Sequence, residues 1–103
     1  MAKHVTIFKM QVKPGMVDQL TKVMNDDGTN MDRIKAAGWK STIVGSSKDN
    51  PNEVWGTVTW DNSENYRKNA EDPAQNASFQ QMRALLDADP EWHDCDVIEE
   101  QRA

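Results

Sequence analysis

Asn52-Glu53-Val54-Trp55-Gly56-Thr57-Val58-Thr59-Trp60-Asp61 decides how this chain folds. Successive side chains of a strand point to opposite sides, so Val54, Val58 and Trp60 share one face. Trp55 lies on the other with Thr57 and Thr59. An aromatic on each face means that neither side of the strand is meant for water. The stretch therefore predicts a central strand in a sheet covered twice, once by the chain's own helices and once by a second copy of the chain.

The neighbouring segments supply the rest of that sheet. His4 to Val12 reads as a strand with Val5 and Ile7 on one face and Phe8, Met10 and Val12 on the other. Pro14-Gly15 ends it and opens a helix, since proline fits a first helical turn. Met16, Leu20, Val23 and Met24 recur at helical spacing. Asn25-Asp26-Asp27-Gly28 interrupts the helix, Thr29 or Asn30 is placed to cap a second short one, and Gly38 closes it. Trp39 to Ser46 forms the next strand, with Trp39 and Ile43 on one face and Val44 on the other. The turn cluster Ser47 to Asn52 joins it to the deciding stretch as an antiparallel hairpin. Asp61, Asn62 or Ser63 caps a helix running to about Ala70. Asp72-Pro73 starts another, striped by Phe79, Met82, Leu85 and Leu86 and stopped by Asp89-Pro90, and Trp92 to Glu100 alternates as a last strand. The order βαββαβ predicts an α+β, ferredoxin-like antiparallel sheet with helices on one face.

At 103 residues the chain reads as one domain, 1–103. A net charge of -5 and a pI near 4.9 lack the basic footprint of a nucleic-acid binder. The apolar runs are too short for a spanning helix, which argues against a membrane partner. The N-terminus has no apolar h-region or cleavage site, and the single cysteine, Cys95, has no internal partner for a disulfide. These features predict a cytoplasmic protein, where the Asn76-Ala77-Ser78 sequon has no use.

Val12-Lys13-Pro14-Gly15, the hairpin Asp49-Asn50-Pro51-Asn52-Glu53, and Thr59-Trp60-Asp61 leading into a helix with Tyr66 resemble the antibiotic biosynthesis monooxygenase (ABM) domain, a family of the dimeric α+β barrel superfamily. The resemblance runs from about Val5 to Ile98, with a small insertion between Asp72-Pro73 and Phe79. It implies a homodimer with a pocket between sheet and helices in each protomer. It also implies, as one activity of the family, oxygenation of a small phenolic or quinol-type aromatic with no cofactor, neither metal nor flavin. In that chemistry the deprotonated substrate reacts with dioxygen itself, and the protein supplies orientation, a base and a dry cavity. A non-catalytic dimer that binds a small apolar ligand is the alternative. Haem-degrading relatives use an Asn, a Trp and a His where this chain has Phe8, Asn69 and Arg83, and without that imidazole there is no axial ligand.

Tyr66 is the only tyrosine and is placed to hydrogen-bond a substrate hydroxyl, or simply to pack on Trp60. His4 shares a face with Thr6 and Phe8 and offers a general base at the pocket rim, although a residue at a strand start is commonly solvated. Asn69 follows Tyr66 by one helical turn and either points the same way or lies exposed. Phe8, Trp60, Phe79, Met82 and Arg83 are the expected substrate-lining residues, with Trp60 doubling as core. Trp55, on the opposite face, is placed to line either the dimer interface or a cavity, with the interface the preferred reading.

Other motifs fail on inspection. His93-Asp94-Cys95-Asp96 puts His93 and Cys95 on one face, but a third metal ligand is not evident. Aligning Gly28 with the sixth place of a calcium loop puts Val23 and Ile34 where carboxylates belong. No phosphate loop or nucleophile elbow is present.

Overall fold

Strand β3 (Glu53–Trp60) is an interior strand, as its two-faced pattern requires. The computed structural model describes residues 2–25 and 28–103. β1 is His4–Gln11, α1 Val17–Asn25, α2 Gly28–Ala37, β2 Trp39–Ser46, α3 Ser63–Ala70, α4 Pro73–Arg83 and β4 Glu91–Asp96. The strands form one antiparallel sheet in the order β2-β3-β1-β4, the ferredoxin-like arrangement.

Pairing in register sorts the side chains by face. His4, Thr6, Phe8 and Met10 stand opposite Trp60, Val58, Gly56 and Val54. Phe8, Met10, Val12, Leu20, Val54 and Leu86 form the buried core, joined by Val17, Met24, Met82 and Leu85. Burying side chains of this size is worth about 1.5–3 kcal/mol each, which fixes the helices on this face. The other face places Ile43, Thr57, Ile7 and His93 in one row across the sheet. Ile43 is 72% and Trp55 45% exposed there. Lys9 covers the Trp55 ring at 5.3 Å, and Glu53 accepts the Trp55 indole N–H at 2.7 Å.

Local chemistry accounts for the element ends. Gly38 ends α2 with a positive φ of 124°, its N–H bonded to the Ile34 carbonyl at 3.1 Å. A Cβ there would overlap the Asp61 carboxylate, so the position demands glycine on two counts. Asn62 caps α3 by accepting from the Asn65 N–H, and Asp72 caps α4 ahead of Pro73.

Four expectations need correction. α2 begins at Gly28, so Thr29 and Asn30 fall inside its first turn; Asp26 and Asp27, within the expected interruption, lie outside the described residues. A bulge between Trp39 and Ser41 turns Trp39 opposite Trp60, where its indole donates to Thr42 at 2.8 Å. It therefore does not share the face of Ile43. α4 stops at Arg83, and Leu86 reaches the core through an extended bridge to Val12. β4 ends at Asp96, short of the expected Glu100.

Candidate active site

The first residue of β1 begins a polar cluster beneath α3. His4 is only 3% exposed, which corrects the expectation of a solvated strand start. Its Nε2 lies 2.7 Å from Thr6 Oγ1 and its Nδ1 3.0 Å from Ser63 Oγ. Thr6, fully buried, donates its hydroxyl to Asp94 Oδ1 at 2.7 Å. Strand pairing accounts for this meeting, because β4 sets Asp94 opposite Thr6 and Asp96 opposite His4. The Tyr66 ring stacks on the imidazole with centroids 4.1 Å apart. Trp60 supports Tyr66 from the side in an edge-on contact at 6.2 Å.

The electrostatics keep Tyr66 a phenol. Burial pushes its pKa above the ordinary tyrosine value, the Thr6 hydroxyl pulls it partly back, and the Asp94 carboxylate raises it further. At neutral pH the side chain can therefore donate a hydrogen bond but cannot serve as a base. The imidazole beside it is the group suited to take a proton.

Two residues along β1 the surroundings become aromatic. Phe8 lies 5.5 Å from Trp92, and Trp92 6.2 Å from Phe79 of α4. Gly56 leaves room for the Phe8 ring, since a Cβ at that position would collide with it. Trp92 remains 44% exposed at the edge of the sheet, and Met82 packs on the core beneath α4. A polar end under α3 thus adjoins an aromatic end under α4.

Of the residues expected from sequence, His4, Tyr66 and Trp60 come together at the polar end, and Phe8 and Phe79 at the aromatic end. Asn69 is buried, not exposed, and its side-chain oxygen accepts from Arg33 Nη1 at 2.8 Å. Arg33 also lies 3.4 Å from Asp72, so Asn69 helps tie α2, α3 and α4 together. Arg83 bonds Asp89 at 2.9 Å and the Leu86 carbonyl at 3.1 Å, which secures the end of α4. Thr6, Ser63 and Asp94 were not singled out from the sequence. The signal for Asp94 was the alternation in His93-Asp94-Cys95-Asp96, which sends the two acids to the helix face when His93 and Cys95 take the other. Among the described residues no three His, Cys, Asp or Glu side chains are grouped to hold a metal ion. No helix among them is long and apolar enough to cross a membrane.

No family model matches the sequence, and no curated protein matches it. Solved structures do. A protein of Chloroflexus aurantiacus J-10-fl, provisionally named an antibiotic biosynthesis monooxygenase, is 24% identical over 98% of both chains, with a TM-score of 0.76. The chain has an ABM-like fold. SnoaB of Streptomyces nogalater, described as a cofactor-independent oxygenase, has the same ABM-like fold at 13% identity, covering 97% of both chains with a TM-score of 0.74. A ferredoxin-like protein described as dimeric, from an uncultured marine organism, is 12% identical over 100% of this chain and 94% of its own, with a TM-score of 0.80.

Proposed function

We propose that this protein is a cofactor-independent monooxygenase that acts, as a homodimer, on a small phenolic or quinol-type aromatic. One observation carries the reading: a buried imidazole and a phenol stand side by side, with the rings of Phe8, Trp92 and Phe79 grouped further along the same face of the sheet. The ring of the substrate lies against Phe8, Trp92 and Phe79, and its hydroxyl faces the His4–Tyr66 end. Proton removal toward His4 makes the substrate an electron-rich phenolate. Tyr66 donates to the oxygen as charge moves through the ring. The substrate supplies all the electrons that reduce dioxygen. One oxygen atom enters the product as a new carbonyl, and the other leaves as water. The fold shared with SnoaB supports this chemistry by analogy, and sites rather than folds decide activity.

The homodimer reading rests on the exposed face of the sheet. Ile7, Ile43 and Trp55 form an apolar stripe rimmed by Lys9 and Glu53, and such a stripe is a place where two protein surfaces meet.

Oxygen uptake with a panel of hydroquinones and phenols, in the presence of a metal chelator, tests the activity. The proposal expects turnover that survives chelation and falls in Tyr66→Phe. Quenching of tryptophan fluorescence by the same compounds with no oxygen consumed would instead identify a ligand-binding dimer.

A further inference from the structure

The hydrogen-bonding direction on the Nε2 side of His4 follows from one fixed point, the carboxylate of Asp94. An ionised carboxylate only accepts, so at 2.7 Å the proton between Thr6 and Asp94 belongs to Thr6. A hydroxyl has a single proton. With that proton committed to Asp94, Thr6 Oγ1 must accept from the ring nitrogen 2.7 Å away, which makes His4 Nε2 a donor. In a neutral imidazole the other nitrogen is then an acceptor. That nitrogen, Nδ1, faces the Ser63 hydroxyl at 3.0 Å.

We infer that Thr6 and Asp94 are positioning residues that hold His4 as its Nε2–H tautomer, and that Ser63 passes the substrate's proton to Nδ1. This deepens the proposed function and rests on it for the identity of the proton donor. The transfer balances without any redox change. The substrate O–H bond breaks and its proton joins Ser63 Oγ, while the proton of Ser63 joins Nδ1. The products of the step are a phenolate and an imidazolium, and Ser63 is regenerated. The proton returns along the same path as dioxygen is reduced and water departs.

The surroundings suit both protonation states of the ring. The charged groups facing it come from β4. Asp94 lies 3.7 Å from Nε2, and Asp96 Oδ1 can accept from Ser63 Oγ at 3.5 Å, a longer contact than the 3.0 Å between Ser63 Oγ and Nδ1, so in the neutral state the Ser63 proton goes to the ring. When the ring is charged, Nδ1–H donates to Ser63 and Ser63 donates to Asp96, so no donor loses its acceptor. Tyr66, the remaining titratable neighbour, stays neutral and contributes its ring face, against which a cation is stabilised. The side chain of Asp94 is 57% exposed, which gives the buried imidazole a link to bulk water through one hydroxyl.

Nitrogen NMR of the histidine-labelled protein, at a pH where the ring is neutral, tests the tautomer without reference to activity. His93→Gln assigns the two rings. The inference expects His4 Nδ1 in the deshielded range of an unprotonated ring nitrogen and Nε2 in the shielded range. Thr6→Ser retains this pattern and Thr6→Val shifts it toward a mixture. Asp94→Ala, on a side chain that is 57% exposed, shifts it in the same way by freeing the Thr6 proton. A wild-type His4 protonated on Nδ1, or a pattern unmoved by both Thr6→Val and Asp94→Ala, overturns the assignment. For the relay, Ser63→Ala is expected to lower kcat for oxygen uptake by about 10²-fold with little change in KM, and Ser63→Thr to recover most of it. Undiminished turnover in Ser63→Ala overturns the relay. A wild type with the expected tautomer that consumes no oxygen refutes the monooxygenase function and the relay with it, and leaves the tautomer assignment standing.

Discussion

The imidazole of His4 and the ring of Tyr66 lie face to face, their centroids 4.1 Å apart and their planes 20° from parallel. One side chain begins β1 and the other lies in the middle of α3, so the contact joins sheet to helix beside the buried polar cluster. It also sets a cation, once His4 is charged, against an electron-rich face, a contact worth about 0.5–2 kcal/mol.

Tyr66→Phe keeps both ring contacts and removes only the hydroxyl. The expected loss of stability is about 1 kcal/mol, the net worth of an ordinary hydrogen bond. The expected loss in kcat is about 10- to 10²-fold, for one donor at the developing charge. Urea unfolding and oxygen uptake on the same preparation separate the two effects.

The raised pKa of Tyr66 has a definite consequence above neutrality. The folded state holds the phenolic proton more tightly than the unfolded chain, so this contribution is complete below the unfolded value, near pH 10. It is lost as pH rises through the folded value. The urea midpoint of the wild type should therefore fall more steeply than that of Tyr66→Phe as pH rises above the unfolded value, near pH 10. Parallel curves contradict the burial argument.

Asn69 separates structural from chemical roles within α3. Its carbonyl is taken by Arg33, which keeps Asn30 and Asp72 as partners, so Asn69→Ala should cost about 1 kcal/mol, the net worth of one hydrogen bond. The kcat of the folded variant should stay near that of the wild type. A large drop in kcat with unchanged stability would return Asn69 to the chemistry.

Ile43 and Trp55 carry the test of the dimer. Ile43→Lys combined with Trp55→Glu puts charges on the open face without touching the helix-side core. Sedimentation at micromolar concentration should show a dimer for the wild type and a monomer for the double variant. A wild type that sediments as a stable single copy contradicts the assignment of that face.

Much of this architecture was legible in the sequence because the strands alternate so clearly. Val54, Trp55 and Trp60 announced an interior strand with apolar side chains on both faces, and Pro14-Gly15, Gly38 and Asp72-Pro73 marked the breaks by ordinary backbone chemistry. Errors arose where register, rather than pattern, decided. A single extra residue at Lys40 moved Trp39 to the other face, and Leu86 found the core through a bridge instead of a helical turn. The site divided along the same line. His4, Tyr66 and Phe8 were legible as unusual residues on the helix face. Thr6, Ser63 and Asp94 are common residue types whose importance comes only from the pairing of β1 with β4 and the docking of α3. The apparent freedom of His4 and Asn69 disappeared for the same reason, since each is buried by elements distant in the chain.

The most direct test is one turnover of an accepted phenolic substrate under ¹⁸O₂, with chelator-treated protein and no added flavin or reductant. The account predicts product carrying a single labelled oxygen atom, formed together with one labelled water. Product without label, or oxygen uptake that appears only when a metal or flavin is added, contradicts it.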